Sequence, residues 1–186
     1  MGWQHFLGLP SRGVDGTPRT PIADADTETV RRIVARLEAM PRDEARFLAG
    51  FAYILTRAAA ADLDISDAES RVIEQLVAEH GRLPEAHAVL VAQMARSQSI
   101  LYGGTEDYLV TRQFKELASP EQRLDLLRCC YLVGAADDDI SVAESDTLQE
   151  IASELDVERD AVNGIRHEFE SKLSTIKAMR RLREAP

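Results

Sequence analysis

Apolar side chains return along this chain at three- and four-residue intervals, the spacing that places them on one side of an α-helix. Val30, Ile33, Val34, Leu37 and Met40 form the first stripe, and Pro41 ends it. A second helix is predicted over 43–61, with Phe47, Leu48, Phe51, Ile54 and Leu55 on one face. The third runs from Ser66 to Gly81 through Val72, Ile73, Leu76 and Val77. Pro84 suits the first turn of a fourth helix, which carries Val89, Leu90 and Met94 toward Leu101. Gly103-Gly104 breaks the chain before a shorter helix at 105–117. Ser119-Pro120-Glu121-Gln122 then reads as a helix start, with Ser as cap, Pro in the first turn and Gln three residues after the cap. That helix reaches Ala136, and another spans Ser141–Leu155. A last helix, from Asp156 or Glu158 onward, carries Val162, Ile165, Phe169, Leu173, Ile176 and Met179 on one side, and its end is basic (Lys177, Arg180, Arg181, Arg183). No stretch alternates with period two for long enough to make a strand.

Shifting the chain by 75 residues aligns Ala60–Ser70 with Ala135–Ser145 without a gap, and nine of the eleven positions are identical. Beyond that window the match is of type: Leu76 with Ile151, Phe51 with Leu126, Glu79 with Glu154. Each copy is an apolar helix, an acidic turn and a second amphipathic helix. Two copies are too few for a solenoid, which needs at least about three. The expected fold is therefore all-α, a compact bundle of about seven to eight helices built on two pseudo-symmetric helix–turn–helix repeats. Such packing would bring both acidic turns to one end. Residues 1–26, rich in Pro and Gly, read as a flexible segment; 27–165 as the helical domain; 166–186 as the end of the last helix with a basic tail.

The turns themselves contain two kinds of signal. Ser66-x-x-Glu69 and Ser141-x-x-Glu144 are capping boxes, with Ile65 and Ile140 placed as hydrophobic staples. Asp62 and Asp137 stand at the end of the preceding helix, where the helix dipole disfavours an anion and capping gives no reason for one. Asp64 and Asp139 add like charge beside them. A hard cation would relieve this crowding, and carboxylates one residue apart are oxygen ligands of the kind that suit Ca²⁺ or Mg²⁺ ahead of Zn²⁺. The loop is not an EF-hand: its sixth position is Asp67 and its twelfth Ile73. The competing arrangement is neutralisation of the turns by arginines from elsewhere in the chain.

Composition sharpens this picture. Of 186 residues, 22 are Lys or Arg and 32 are Asp or Glu, a net charge of −10. Asp62, Asp64, Asp67 and Glu69, with Asp137, Asp138, Asp139, Glu144 and Asp146, nearly account for that charge, so the acidity is local. Nucleic acid is not an expected partner. Aromatic residues are 5% of the chain, fitting packed helices better than sheets. Cys129 and Cys130, adjacent on a helix, point apart and read as buried thiols in a reducing compartment. The first residues lack a secretory signal pattern, and no stretch approaches the roughly 18 apolar residues of a membrane span. A cytoplasmic location follows as the expectation. Trp3, Phe6, Leu7 and Leu9 could touch a membrane surface or dock on the protein's own core.

Catalysis is not expected. There is no phosphate-binding Gly-rich loop, nucleophile elbow or di-iron Glu-x-x-His pair, and His5, His80, His87 and His167 are scattered.

The pattern Ala-Ala-Asp-x-Asp-Ile-Ser-x-x-Glu at a helix junction, twice about 75 residues apart in a helical chain, resembles the TerB-like family, named for bacterial tellurite resistance. The resemblance covers roughly residues 28–165. It implies a helical bundle with a divalent-metal site made by acidic residues of both repeats, and a role in tellurite or other stress responses with partner proteins near the membrane. Carried over by motif, the ligands would be Asp62, Glu69, Asp137 and Glu144, then Asp64 and Asp139. The family commonly has Gly after the first Asp, where this chain has Leu63 and Asp138. A membrane-anchored J-domain role does not transfer, since a His-Pro-Asp triplet is missing. The rival reading is a metal-free scaffold that docks partners or a membrane surface through its acidic face and basic tail.

Overall fold

The computed structural model describes residues 35, 38–62, 64–102, 104 and 106–184. It divides into two compact units, Met1–Ala45 and Arg46–Pro186. Most of the first unit, including residues 1–26, Trp3, Phe6 and the stripe from Val30 to Leu37, lies outside the described residues. Of its remainder, the Ala39 N–H bonds the Ala35 carbonyl before the chain reaches Pro41.

Eight α-helices follow among the described residues: α1 (Arg42–Ala59), α2 (Asp67–Gly81), α3 (Glu85–Tyr102), α4 (Asp107–Leu117), α5 (Pro120–Gly134), α6 (Val142–Glu154), α7 (Arg159–Glu168) and α8 (Ser174–Glu184). Short 3₁₀ turns lie at Ala60–Asp62 and Glu170–Lys172. The protein is all-α, as the periodicity requires. Local chemistry sets most of the starts. Ser119 closes a capping box with Gln122 through bonds of 2.8 and 3.2 Å, and Pro120 takes the first helical position, where no N–H is needed. Pro84 stands just outside α3 instead of within its first turn, its carbonyl receiving His87 and Ala88 N–H.

The core of the second unit is carried by α1 and α5. Phe51, Ile54 and Leu55 from the first helix, and Leu126, Leu127, Cys130 and Tyr131 from the second, are fully enclosed. Each large apolar side chain buried in this way contributes roughly 1.5–3 kcal/mol. Packing then crosses between repeats. Helix α2 lies against α3 and α5, while α6 lies against α4, α5 and the 3₁₀ turn that ends α1. This exchange brings the two acidic turns together.

One expectation is corrected. The last helix is not continuous: α7 stops at Glu168, a 3₁₀ turn follows, and α8 begins at Ser174. The break occurs because the chain at Lys172–Ser174 pairs with Ile140 as an isolated parallel bridge. Ile140 N–H donates to Lys172 O at 2.8 Å, and Ser174 N–H to Ile140 O at 3.0 Å. Ile140 and Leu173 are both buried by this pairing. The unbroken helical periodicity could not reveal a partner thirty residues earlier.

Candidate functional site

The two acidic turns repeat one another bond for bond. Ser66 and Ser141 adopt the same extended backbone (φ −65° in both) and accept from Glu69 and Glu144 N–H at 3.2 and 3.1 Å. Glu69 and Glu144 reach back to accept from the Ser66 and Ser141 N–H groups, at 2.7 Å in both cases. Asp62 Oδ1 accepts from Asp64 N–H and Asp137 Oδ1 from Asp139 N–H, both at 3.1 Å. These are Asx turns. They supply a structural reason for Asp62 and Asp137 that capping does not give.

The two capping glutamates are the buried members of the site, Glu69 at 4% and Glu144 at 5% exposure. Their carboxyl groups face one another across the repeats. Burial pushes Glu144 up to about 7, against the bonds from Ser141, and the negative fields of Glu69 and Asp62 push the same way. Glu69 is likewise raised by burial, with Asp137 adding to the rise while Ser66 and Glu144 oppose it. The pattern is crosswise: each glutamate feels the first aspartate of the opposite turn. Gly134, at the end of α5, forms part of the wall here, since a Cβ on it would lie 3.4 Å from Glu144 Oε1.

Around this buried pair the turns differ. Asp138 adopts φ +72°, a conformation that glycine takes freely and that aspartate tolerates better than most residues. Lys172 Nζ bonds the Asp138 carboxylate and holds it below the usual carboxylate range. Lys177 Nζ bonds Asp139 Oδ1 at 2.8 Å and also the Asp138 carbonyl. Neutralisation therefore comes from lysines of the segment after α7, not from arginines, and it serves the second turn. Among the described residues no Lys or Arg pairs with Asp62, Asp64 or Asp67. Asp62, Asp64, Asp137 and Asp139 are all exposed. Thus Glu69 and Glu144 come into contact, Asp62 and Asp137 lie within their field, and Asp64 and Asp139 stand at the rim. Among the described residues no three His, Cys, Asp or Glu side chains stand together so as to hold a metal ion.

The sequence reading missed Arg57, one turn before the first junction. Its guanidinium, 9% exposed, meets both Glu154 oxygens at 2.6 and 3.1 Å, Glu150 at 3.3 Å, Thr111 at 3.2 Å and Asp107 at 3.7 Å. Tyr53 OH donates to the same Asp107 at 2.9 Å. Arg57 thereby ties α1 to α4 and α6 beside the paired turns. Its partners are 50 to 97 residues away, and the equivalent position of the second repeat is Leu132, so the repeat gave no hint of it. The cysteines are free and buried as expected. Burial pushes the Cys129 thiol up to about 12, which leaves it unreactive although His80 Nε2 is 3.6 Å away.

Fold and site together define an all-helical protein with two equivalent acidic helix junctions meeting over a buried glutamate pair. The family described as Tellurite resistance protein TerB matches residues 48–167, well over half of the chain and spanning both junctions. The protein belongs to the TerB family. No curated protein matches the chain, and no solved structure does. Among the described residues, no helix is long and apolar enough to cross a membrane.

Proposed function

We propose that this TerB-family protein is a non-catalytic cytoplasmic stress-response protein, related to tellurite resistance, that takes up a divalent cation at its paired junctions and acts through protein partners. The observation that carries this reading is the Glu69–Glu144 contact. Stability alone favours apolar residues at a buried repeat interface, yet here two carboxyl groups face one another with aspartates on either side. The donor set is entirely oxygen, which suits Ca²⁺ or Mg²⁺ over Zn²⁺. Glu69 and Glu144 would be the inner ligands. The exposed Asp62 and Asp137 would leave their Asx bonds and turn inward, with Asp64 and Asp139 behind them. A bound cation would supply positive charge between the facing carboxyl groups, drawing the two repeats together across α2 and α6. A partner would then recognise the tightened acidic surface.

Thermal melting of the full chain in EDTA, then with millimolar Ca²⁺, Mg²⁺, Mn²⁺ or Zn²⁺, tests this. A cation-specific rise in Tm that disappears in Asp62→Ala/Asp137→Ala supports the reading. The absence of a shift with every cation at pH 7.5 would sink it.

A further inference from the structure

Helix α8 (Ser174–Glu184) lies beyond the residues that match the family, so family membership assigns it nothing. One side of it is engaged. Ser174, Lys177, Ala178 and Arg181, at helical spacing, line a shallow cleft of about 340 Å³ with Asp137, Asp138 and Asp139. The opposite side presents Met179 and Arg183, flanked by Ile176, Arg180 and Leu182. Met179 is 53% exposed and Leu182 78%, and everything from Ala178 to Arg183 is exposed. Ile176 is half-buried at the inner edge of this side, so Met179 and Leu182 are the large apolar residues of α8 left without cover.

The charges indicate what that cover is. Arg183 and Arg180 interleave with the apolar side chains on the free face, Arg180 also meeting Glu170 Oε1 at 3.2 Å in an exposed pair, and the acidic turn is held on the other face by Lys177. Apolar residues with guanidinium groups among them match the boundary of an anionic bilayer, where the former enter the acyl edge and the latter meet lipid phosphates. A protein groove would need matching carboxylates at both edges of the stripe; a lipid surface supplies phosphates at any spacing. We propose that α8 docks this protein on an anionic membrane surface, lying in the interface plane with Met179 and Leu182 inserted and Arg183 on headgroup phosphates, joined by Arg180 as it exchanges its exposed Glu170 contact for a phosphate.

Co-sedimentation of the full chain with phosphatidylcholine vesicles, with and without about 30% phosphatidylglycerol, tests this at low salt. The wild-type chain should pellet with the anionic vesicles and remain in solution with the neutral ones. Met179→Ser/Leu182→Ser and Arg180→Gln/Arg183→Gln should each lower the bound fraction by about fivefold or more. Because these side chains are exposed and the Arg180–Glu170 pair is a surface one of little weight, both variants should keep the wild-type circular dichroism spectrum and cooperative melting. Three results would each overturn the proposal: no binding to anionic vesicles, equal binding to neutral ones, or unchanged binding by either variant. The last would place any membrane contact elsewhere in the chain.

Discussion

Replacing Glu144 by Gln removes the buried charge at the junction pair while keeping the shape of the side chain. The carboxamide oxygen can still accept the Ser141 N–H, and its nitrogen can donate to the facing Glu69 carboxylate, so both capping and the cross-repeat contact survive. The wild-type group has its proton affinity raised from an ordinary 4.5 to about 7. A carboxyl that titrates higher in the folded protein holds its proton more tightly there than in the unfolded chain. Its stabilising contribution is therefore complete below pH 4.5 and is lost as pH rises through 7. At about 1.4 kcal/mol per pH unit, the loss across this window is about 3 kcal/mol at most, and about 2 kcal/mol once the site relaxes around the charge.

Urea unfolding followed by circular dichroism, in EDTA at several pH values between 4.5 and 8, reads this out. Glu144→Gln should equal the wild type near pH 4.5 and exceed it by about 2 kcal/mol at pH 8. The difference between the two proteins isolates Glu144 from histidines and other groups that titrate in the same range. A variant that is less stable than wild type at pH 8, or a difference that does not change with pH, would refute the raised proton affinity of the buried Glu144 carboxyl. Adding the effective divalent cation at pH 8 should restore the wild type toward the variant and leave the variant unchanged.

Asp138 and Arg57 give two further tests. Because Asp138 sits at φ +72°, Asp138→Gly should be more stable than Asp138→Ala by about 1 kcal/mol in urea unfolding. Both variants lose the Lys172 contact, so equal stabilities would contradict the backbone explanation. Arg57→Ala leaves Glu154, Glu150 and Asp107 without their shared cation and should cost about 3 kcal/mol at pH 7. A loss below about 1 kcal/mol would mean that the cluster is not stabilising α1 against α4 and α6.

What the sequence made legible was whatever depends on near neighbours along the chain. The three Ser capping boxes, the Gly and Pro breaks and the apolar stripes act within four residues, and the helices begin and end close to where those signals stand. The duplicated junction was legible too, because its nine identities in eleven positions survive in the local bonds. Features governed by distant partners were not. The interruption at Phe169–Leu173 depends on Ile140, and the contact between Glu69 and Glu144 depends on how α2 and α6 cross between repeats. The same separation explains why two nearly identical turns have different electrostatic surroundings. Lys172 and Lys177 come from a segment that only the second repeat carries behind it, and they occupy the Asp138–Asp139 side of that turn. Asp62 and Asp64 have no such tethered ammonium among the described residues. A divalent cation approaching the paired junctions would meet competition from lysine at the second turn and none at the first. Asp62→Ala alone should accordingly reduce cation-induced stabilisation more than Asp137→Ala alone, and equal losses in the melting assay would refute this asymmetry.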